Sequence, residues 1–465
     1  MPGQQRVSGS FRDPNGFLFY RDGVLYRQIN ESYRADYEFL NQSGLYNTLV
    51  KKGYLIEHEE IELEPATNQP VYKIIKPTLI PYLCYPYEWC FSQLKDAALL
   101  TLKIQKQALI HSMSLKDASA YNVQFLEGKA VFIDTLSFEA YDHGPWIAYR
   151  QFCQHFLAPL ALKSYTDRRL SQLLRTNIDG IPLDLASKLL PKKTWLSFSI
   201  LAHLHLHARA QTRYADSARS NQVAAKSASS LSKTRLVAMI DQLISAIRRL
   251  EPKRERTEWG DYYADTNYID QAMSHKITLV DQLVGSLQRD DLKIIDMGAN
   301  NGQFSRVVMP HARYVISMDI DEVAVEKNYL HCKKNPGEAK LLPLVQDLSN
   351  PSPAIGWANT ERLSLMQRGS VDVILALALI HHIAITNNVP LTDIARFFHQ
   401  QTDYLVIEFV PKSDSQVQRM LATREDIFDQ YQQQSFETIF SEFFSIEKSV
   451  PVQHTDRTLY LLKRK

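Results

Sequence analysis

Cysteine is scarce. Only Cys84, Cys90, Cys153 and Cys332 occur in 465 residues, and no two of them form a Cys-x-x-Cys pair. That spacing excludes a disulfide framework and the common structural zinc sites, and it suits a reducing compartment. Excess charge is missing too: 53 basic residues against 51 acidic ones leave +2. The overall balance therefore gives no indication of nucleic acid or of an anionic membrane as partner. Long apolar runs are absent. The most apolar stretch, Val371 to Ile385, is broken by Asp372, His381 and His382 and is too short to cross a bilayer. The segment Met1-Pro-Gly-Gln-Gln-Arg-Val-Ser-Gly9 is polar and has no apolar signal core. A cytosolic protein with no membrane partner is the expectation.

What is present suits ordinary globular domains. With 45% hydrophobic and 22% charged residues, the chain can build two or three separate cores. Residues 1–207 are rich in aromatics and mix strand-like with helix-like patterns, as an α+β domain does. Phe17-Leu-Phe-Tyr and Val24-Leu-Tyr-Arg flank Arg21-Asp-Gly23, a hairpin signal. Leu94, Ala98, Leu102 and Leu109 recur at helical spacing between Tyr87 and Ser112. Residues 208–255 begin as an Ala/Ser/Gln/Arg-rich connector, poor in large apolar side chains up to Arg235. An amphipathic helix, Leu236 to Leu250, follows it and leads into the last zone.

Residues 256–465 alternate strands with helices, the pattern of a parallel α/β sheet. The expected strands are Lys293–Met297, Tyr314–Met318, Leu341–Val345, Val371–Ala376 and Tyr404–Phe409. Two more, Phe444–Val450 and Thr458–Leu462, are separated only by Pro451-Val-Gln-His-Thr-Asp456. No crossover helix fits there, so this pair must be antiparallel. The first strand ends in Asp296-Met-Gly298-Ala-Asn300-Asn-Gly302, after which a helix opens at Gln303. A strand, a glycine turn and a helix form a grip for a nucleotide-like ligand at the carboxyl edge of a sheet. Asp-x-Gly-x-x-x-Gly is not the Gly-x-Gly-x-x-Gly dinucleotide fingerprint. It resembles motif I of the class I S-adenosylmethionine-dependent methyltransferases, whose Rossmann-like sheet also ends in an antiparallel hairpin.

Each part of S-adenosylmethionine makes a demand on this sequence. Gly298, Asn300 and Gly302 form the turn that approaches its methionyl-ribose portion. Asp296 meets its ammonium, directly or through water. Asp319, after the second strand, accepts from the ribose hydroxyls, with Asp321 as the alternative if the register slips by two. Asp347, after the third strand, accepts from the adenine amino group. The fourth strand runs into His381-His382, where the methyl acceptor belongs. A histidine there is a candidate base for a hydroxyl or amine acceptor, with His382 favoured over His381 to face the cleft. Glu408 is a further candidate for binding or proton transfer, and a buried pair with a lysine such as Lys412 is its structural alternative. Trp259, Tyr262 and Tyr263 are candidates to cover the site or to fill a core. An Asn/Asp-Pro-Pro-Tyr/Phe box is absent, which argues against methylation of a base amino nitrogen. The acceptor itself stays unidentified.

Asp347-Leu-Ser-Asn-Pro-Ser-Pro-Ala-Ile-Gly-Trp357, Ala376-Leu-Ala-Leu-Ile-His-His-Ile-Ala-Ile385 and Ile407-Glu-Phe-Val-Pro-Lys412 resemble methyltransferase-like proteins related to the rhizobial host-specificity nodulation protein. The resemblance extends to Gly9-Ser-Phe-Arg-Asp-Pro-Asn-Gly16. It implies a class I methyltransferase domain and names no acceptor.

In the first zone, Asp117-Ala-Ser-Ala-Tyr-Asn122 and then Asp134 resemble the catalytic loop and metal-binding Asp of protein-kinase-like phosphotransferases. By that resemblance Asp117 is a base, Asn122 and Asp134 hold Mg²⁺ beside ATP, and Arg27 is the basic residue on an early strand. Lys116, Leu115 and Thr135-Leu136 depart from the pattern, and no glycine-rich phosphate loop is visible. The expectation is a degenerate kinase-like fold, with a bifunctional phosphotransferase or a ligand-binding scaffold as the alternatives for its role.

Overall fold

The computed structural model describes residues 4–67, 70–210, 232–253, 270–422 and 424–465. They fall into two units: Met1–Arg254 with Ala354–Arg362, and Glu255–Pro353 with Leu363–Lys465.

The first unit opens with five strands, β1 (Gln4–Arg6), β2 (Gly16–Arg21), β3 (Val24–Asn30), β4 (His58–Ile61) and β5 (Val71–Pro77), in the order β1-β2-β3-β5-β4 and antiparallel throughout. The turn between β2 and β3 is Asp22-Gly23, both at positive φ (51° and 78°). That is the two-residue turn whose twist matches its strands. Strand alternation separates two small cores. Ile75 joins Ile29, Tyr33 and Tyr37 on one face, while its neighbour Ile74 joins Phe17 and Phe19 on the other.

Two helices, Arg34–Gln42 and Leu45–Lys51, lie between β3 and β4 in sequence. The long helix Phe91–Ile110 follows and buries Leu94, Ala98, Leu102 and Leu109. It starts where Gln93 reaches back to accept from the Cys90 amide at 3.0 Å. Short strands β6 (Met113–Leu115), β7 (Val123–Leu126), β8 (Lys129–Phe132) and β9 (Phe138–Ala140) pair as β6 with β9 and β7 with β8. A five-stranded lobe, a long helix and a loop ending in a small hairpin make an α+β domain.

The helix Lys233–Arg249 belongs to this unit rather than leading out of it. It packs on Phe91–Ile110 with Leu236, Ile240, Leu243 and Ile247 buried, and Lys106 Nζ reaches Asp241 at 2.7 Å. Most of the connector before it, 211–231, and Trp259, Tyr262 and Tyr263 lie outside the described residues.

Residues Ala354–Arg362 also belong to the first unit, which their place in the sequence does not suggest. Glu361 is buried and accepts from Arg12 Nε at 2.5 Å, Arg12 Nη2 at 2.9 Å and the Trp357 amide at 2.6 Å. Arg362 lies 4.4 Å over the Tyr121 ring. A Cβ on Gly9 would come within 2.5 Å of the Glu361 carbonyl oxygen. The resemblance segment Gly9–Gly16 thus packs against Glu361, which lies just past the segment ending at Trp357.

The second unit holds a seven-stranded sheet: β10 (Leu292–Met297), β11 (Ala312–Asp319), β12 (Leu341–Val345), β13 (Val371–Ala376), β14 (Thr402–Phe409), β15 (Phe444–Pro451) and β16 (Thr458–Arg464). Its order is β12-β11-β10-β13-β14-β16-β15. The first five strands are parallel, and β16 runs antiparallel to both of its neighbours. Parallel strands covered on both faces need apolar residues on both. Ile294, Val315, Val373 and Val406 fill one layer, closed by the helix Asp270–Gly285 through Val280 and Val284. The chain moves outward from β10 to β12, then crosses back to β13. Such a switch point opens a crevice at the carboxyl ends of the strands.

Candidate active site

A cavity of about 590 Å³ occupies that crevice. Asp296, Gly298, Ala299 and Asn300 border it from the end of β10, Asp319 and Ile320 from β11, and Asp347, Leu348 and Ser349 from β12. Leu377, Ala378, Leu379, His382 and Ile383 border it from β13.

The β10 turn is built by backbone geometry. Gly298 and Ala299 both donate to the Met318 carbonyl at 2.9 Å, which folds the turn over the end of β11. Gly298 and Asn300 sit at positive φ, 78° and 49°. Gly302 is also left-handed (82°), but it does not border the cavity. A Cβ there would fall 2.4–2.7 Å from the Asn328 amide group. The expectation that both glycines approach a ligand therefore needs correcting. Gly298 does line the cavity, while Gly302 makes room for Asn328, which donates to Ser317 Oγ at 2.8 Å and accepts from Arg306 at 2.8 Å.

The acids differ sharply in setting. Asp296 is buried and accepts from Ser305 Oγ at 2.6 Å. Burial pushes its carboxyl up to about 6, with Asp319 adding repulsion, against the Ser305 bond and Lys276. Asp319 is buried too, and its two oxygens accept from the Asn300 and Asp321 amides at 2.7 and 2.8 Å. Burial raises it likewise to about 6. Each carboxylate oxygen has two acceptor sites, so those amides fix the group without exhausting it. Asp347 is half-buried, and its Oδ1 accepts from the Ser349 amide and hydroxyl at 2.8 and 2.6 Å. Asp321 caps the helix Glu322–Lys334 by accepting from the Val323 amide at 2.7 Å and does not border the cavity. The register alternative is therefore not used.

The two histidines part company. His382 borders the cavity at the start of a single π-helical turn, His382–Thr386, a distortion that recurs at functional sites. Its imidazole is pushed down to about 4 by burial and then by Arg457. His381 is 2% exposed, lies off the cavity and is held well below its ordinary range, chiefly by burial.

Glu408 takes the buried, lysine-paired position. It is fully buried, does not border the cavity, and accepts from Lys276 Nζ at 2.6 Å and from the Ala378 amide at 2.7 Å. Its charged neighbours are Lys276 and, at 3.8 Å, Arg457, whereas Lys412 pairs with Asp426. Ala378 itself borders the cavity at φ 50°, an uncommon conformation for a non-glycine residue. Lys276 and Met273, one helical turn apart, border the cavity along with Phe304, Gln346 and Arg424. Sequence reasoning missed all five. The first two had a signal, since a lysine lies on the apolar stripe of Asp270–Gly285.

In the first unit, the kinase-like residues do come together, but in an altered state. Arg27 Nη1 binds Asp134 Oδ1 at 2.5 Å, and Arg27 Nη2 reaches Asp13 at 3.2 Å. Asp134 also accepts from Ser137 Oγ at 2.5 Å, and Asn122 donates to the same hydroxyl at 3.4 Å. Burial alone would raise Asp134, but Arg27, Ser137 and the Leu136 amide outweigh it and pull the carboxyl down. Asp117 is raised, by burial and then by Asp134. Among the described residues no group of three or more His, Cys, Asp or Glu side chains is arranged to hold a metal ion.

No protein-family model matches the chain. The nodulation protein NoeA of Rhizobium meliloti (strain 1021) is 35% identical over 477 residues, covering 100% of this chain and 97% of NoeA. Among solved structures, the N-methyltransferase NodS of Bradyrhizobium japonicum WM9 aligns with a TM-score of 0.32 at 13% identity, covering 42% of this chain and 97% of NodS. The bifunctional kinase-methyltransferase WbdD aligns with a TM-score of 0.30 at 14% identity, over 42% of this chain and 40% of WbdD. No helix among the described residues is long and apolar enough to cross a membrane.

Proposed function

The chain belongs to the family of the nodulation protein NoeA, and from that premise and the fold of its second unit we propose that it transfers a methyl group from S-adenosylmethionine to an oxygen or nitrogen of an acceptor. The observation that carries this reading is the row of Asp296, Asp319 and Asp347 along one cavity, at the ends of three adjacent parallel strands. The donor supplies an electrophilic methyl on a sulfonium, and in-line displacement needs positioning more than covalent chemistry. Asp319 holds the ribose diol, Asp347 the adenine amino group and Asp296 the ammonium, while Gly298 admits the chain between them. Ile320, 57% exposed and bordering the cavity, offers apolar surface to the adenine. His382 borders the acceptor side.

Calorimetric titration with S-adenosylhomocysteine tests the reading, and its pH dependence sharpens the test. Asp296 and Asp319 are both raised to about 6 in the fold, above the unfolded range near about 3.9. A raised carboxyl stabilises the fold at low pH. Its contribution is complete below the unfolded value and is lost as pH climbs through the folded one. Ligand binding reverses the preference, because an ammonium and hydroxyl donors favour the charged carboxylates. Affinity should therefore fall below pH 6, by up to about tenfold per unit for each carboxylate. Near that pH binding should release protons, read from heats in two buffers of different ionisation enthalpy. Absence of binding heat sinks the reading. Binding with no proton release removes the assigned roles of Asp296 and Asp319.

For the first unit we infer a ligand-binding or structural scaffold rather than a phosphotransferase. Arg27 already supplies Asp134 with the positive charge that a metal ion would bring. Thermal unfolding with and without Mg·ATP should show no stabilisation. A rise in the midpoint that Asp134→Ala abolishes would restore the bifunctional reading.

A further inference from the structure

The polar groups of the second unit's cavity divide by strand. Among the described residues, the carboxylates on its wall are Asp296, Asp319 and Asp347, from β10, β11 and β12. The wall beyond β13 and β14 presents His382, Thr386, Asn387 and Arg424 beside Ile383 and Met420. Adjacent strands are about 4.8 Å apart, so the outermost acid and the far wall are separated by roughly three such spacings. One end carries these three carboxylates and suits the ammonium and hydroxyls of the donor; Lys276 also borders the cavity, with its ammonium paired to Glu408 at 2.6 Å. The other carries a guanidinium and, among the described residues, no carboxylate.

Arg424 is held in place from behind. It donates through Nη1 to the Ile385 carbonyl and through Nη2 to Asn388 Oδ1 at 2.7 Å, and its guanidinium lies 4.9 Å from the Phe428 ring. Both hydrogen bonds go to the segment that follows His382. A guanidinium carries five N–H donors in a rigid fork, so these contacts orient it and leave donors for a ligand. A fixed guanidinium in a half-buried site selects planar or tetrahedral oxyanions over cations.

We propose that the methyl acceptor presents an anionic oxygen, a carboxylate or a phosphate, seated against Arg424 at the β13 end of the cavity. The inference rests on methyl transfer at this same cavity. It also fits His382, which remains neutral far below pH 7 because of burial and Arg457 and so is a weak base. An acceptor hydroxyl or ammonium must lose a proton before or during attack, whereas an oxyanion need not. Its lone pair forms the new carbon–oxygen bond as the carbon–sulfur bond breaks, and the electrons of that bond pass to sulfur. One negative and one positive charge cancel, and no proton is released.

The test uses the full-length protein, labelled S-adenosylmethionine and cell extract fractionated on an anion exchanger. The expected result is labelled product from a retained fraction. Label released as volatile methanol by mild alkali identifies a carboxylate. Label that survives alkali and is freed by phosphodiesterase identifies a phosphate. An N-methyl or ether product stable to both treatments, or no product from any retained fraction, overturns the proposal. Arg424→Gln should raise KM for the active fraction by about tenfold to a hundredfold and leave S-adenosylhomocysteine affinity unchanged, with Arg424→Lys between the two. Wild-type KM in a glutamine variant that binds S-adenosylhomocysteine normally also overturns it. If the glutamine variant does not fold, the lysine variant gives the same reading. Wild-type protein that fails to bind S-adenosylhomocysteine at all removes the methyl-transfer reading beneath, an outcome distinct from each of these.

Discussion

Asp319→Ala is expected to weaken S-adenosylhomocysteine binding by about 3 to 5 kcal/mol, a few hundredfold to several thousandfold, while hardly moving the unfolding midpoint. The binding loss follows from removing a fixed anionic acceptor for two hydroxyls, each such charge-assisted bond contributing about 1.5 to 3 kcal/mol. The near-neutral stability follows from opposing terms. Burial raises the Asp319 carboxyl to about 6, so holding it ionised at pH 7 costs the unliganded fold about 3 kcal/mol. Alanine removes that cost. It also leaves the Asn300 and Asp321 amides without the acceptor they reach at 2.7 and 2.8 Å, a loss of about 1 to 3 kcal/mol each if water does not replace it. The two terms are of similar size. Asp319→Asn keeps one accepting oxygen and should recover part of the affinity. Calorimetry and thermal unfolding on the same three proteins check this. An alanine variant that loses stability and binding together would make Asp319 a structural residue, and one that binds normally would remove it from the site.

That a carboxylate belongs at this position was legible because strand-end acids follow from pattern alone. Five parallel strands and a final hairpin can be read from apolar runs and turn residues, and the structure extends them at most by two residues at an end, as in β14 (Thr402–Phe409). The acids then fall at successive carboxyl edges without further information. What pattern could not supply was direction within a short segment. His381 and His382 are adjacent, and only the left-handed step at Ala378 and the π-helical turn decide which of them meets the cavity. Gly302 shows the same limit. The sequence says that a glycine is required, and only the position of Asn328 says for what. Pairing across long separations was the least visible. Arg12 with Glu361 are 349 residues apart, and neither has a periodic pattern that calls for the other. Segments read as part of the methyl-transfer half therefore complete the first unit instead. The kinase-like residues were found by spacing, yet their state depends on Arg27, which the strand pattern marks only as a basic residue.

Glu408→Ala should be among the most destabilising single changes in the second unit, by about 3 to 5 kcal/mol, because it strands a buried lysine. Lys276 is 2% exposed, and Glu408 is its partner at 2.6 Å. Burial already pushes the Lys276 ammonium below its ordinary range, with Glu408 as the main opposing influence. Without that carboxylate, Lys276 must give up its proton or open the structure to water. The Ala378 amide loses its acceptor at the same time, in a residue already held at positive φ. For a unit of roughly 200 residues this corresponds to a fall of about 6 to 20 °C in the unfolding midpoint. Lys276→Met with Glu408→Gln removes both charges and keeps a group able to accept from the Ala378 amide. That double variant should regain most of the lost stability, since replacing a buried pair costs far less than breaking it, and Arg457, 3.8 Å from Glu408, keeps its pair with Asp414 at 2.8 Å. The comparison separates structure from chemistry. If Glu408 accepted the acceptor's proton, the restored double variant would fold and bind S-adenosylhomocysteine yet transfer no methyl. If Glu408 only holds the turn beside the cavity, transfer returns with the fold. The geometry favours the second outcome, because Glu408 is fully buried and off the cavity wall, while His382 and Arg424 are on it.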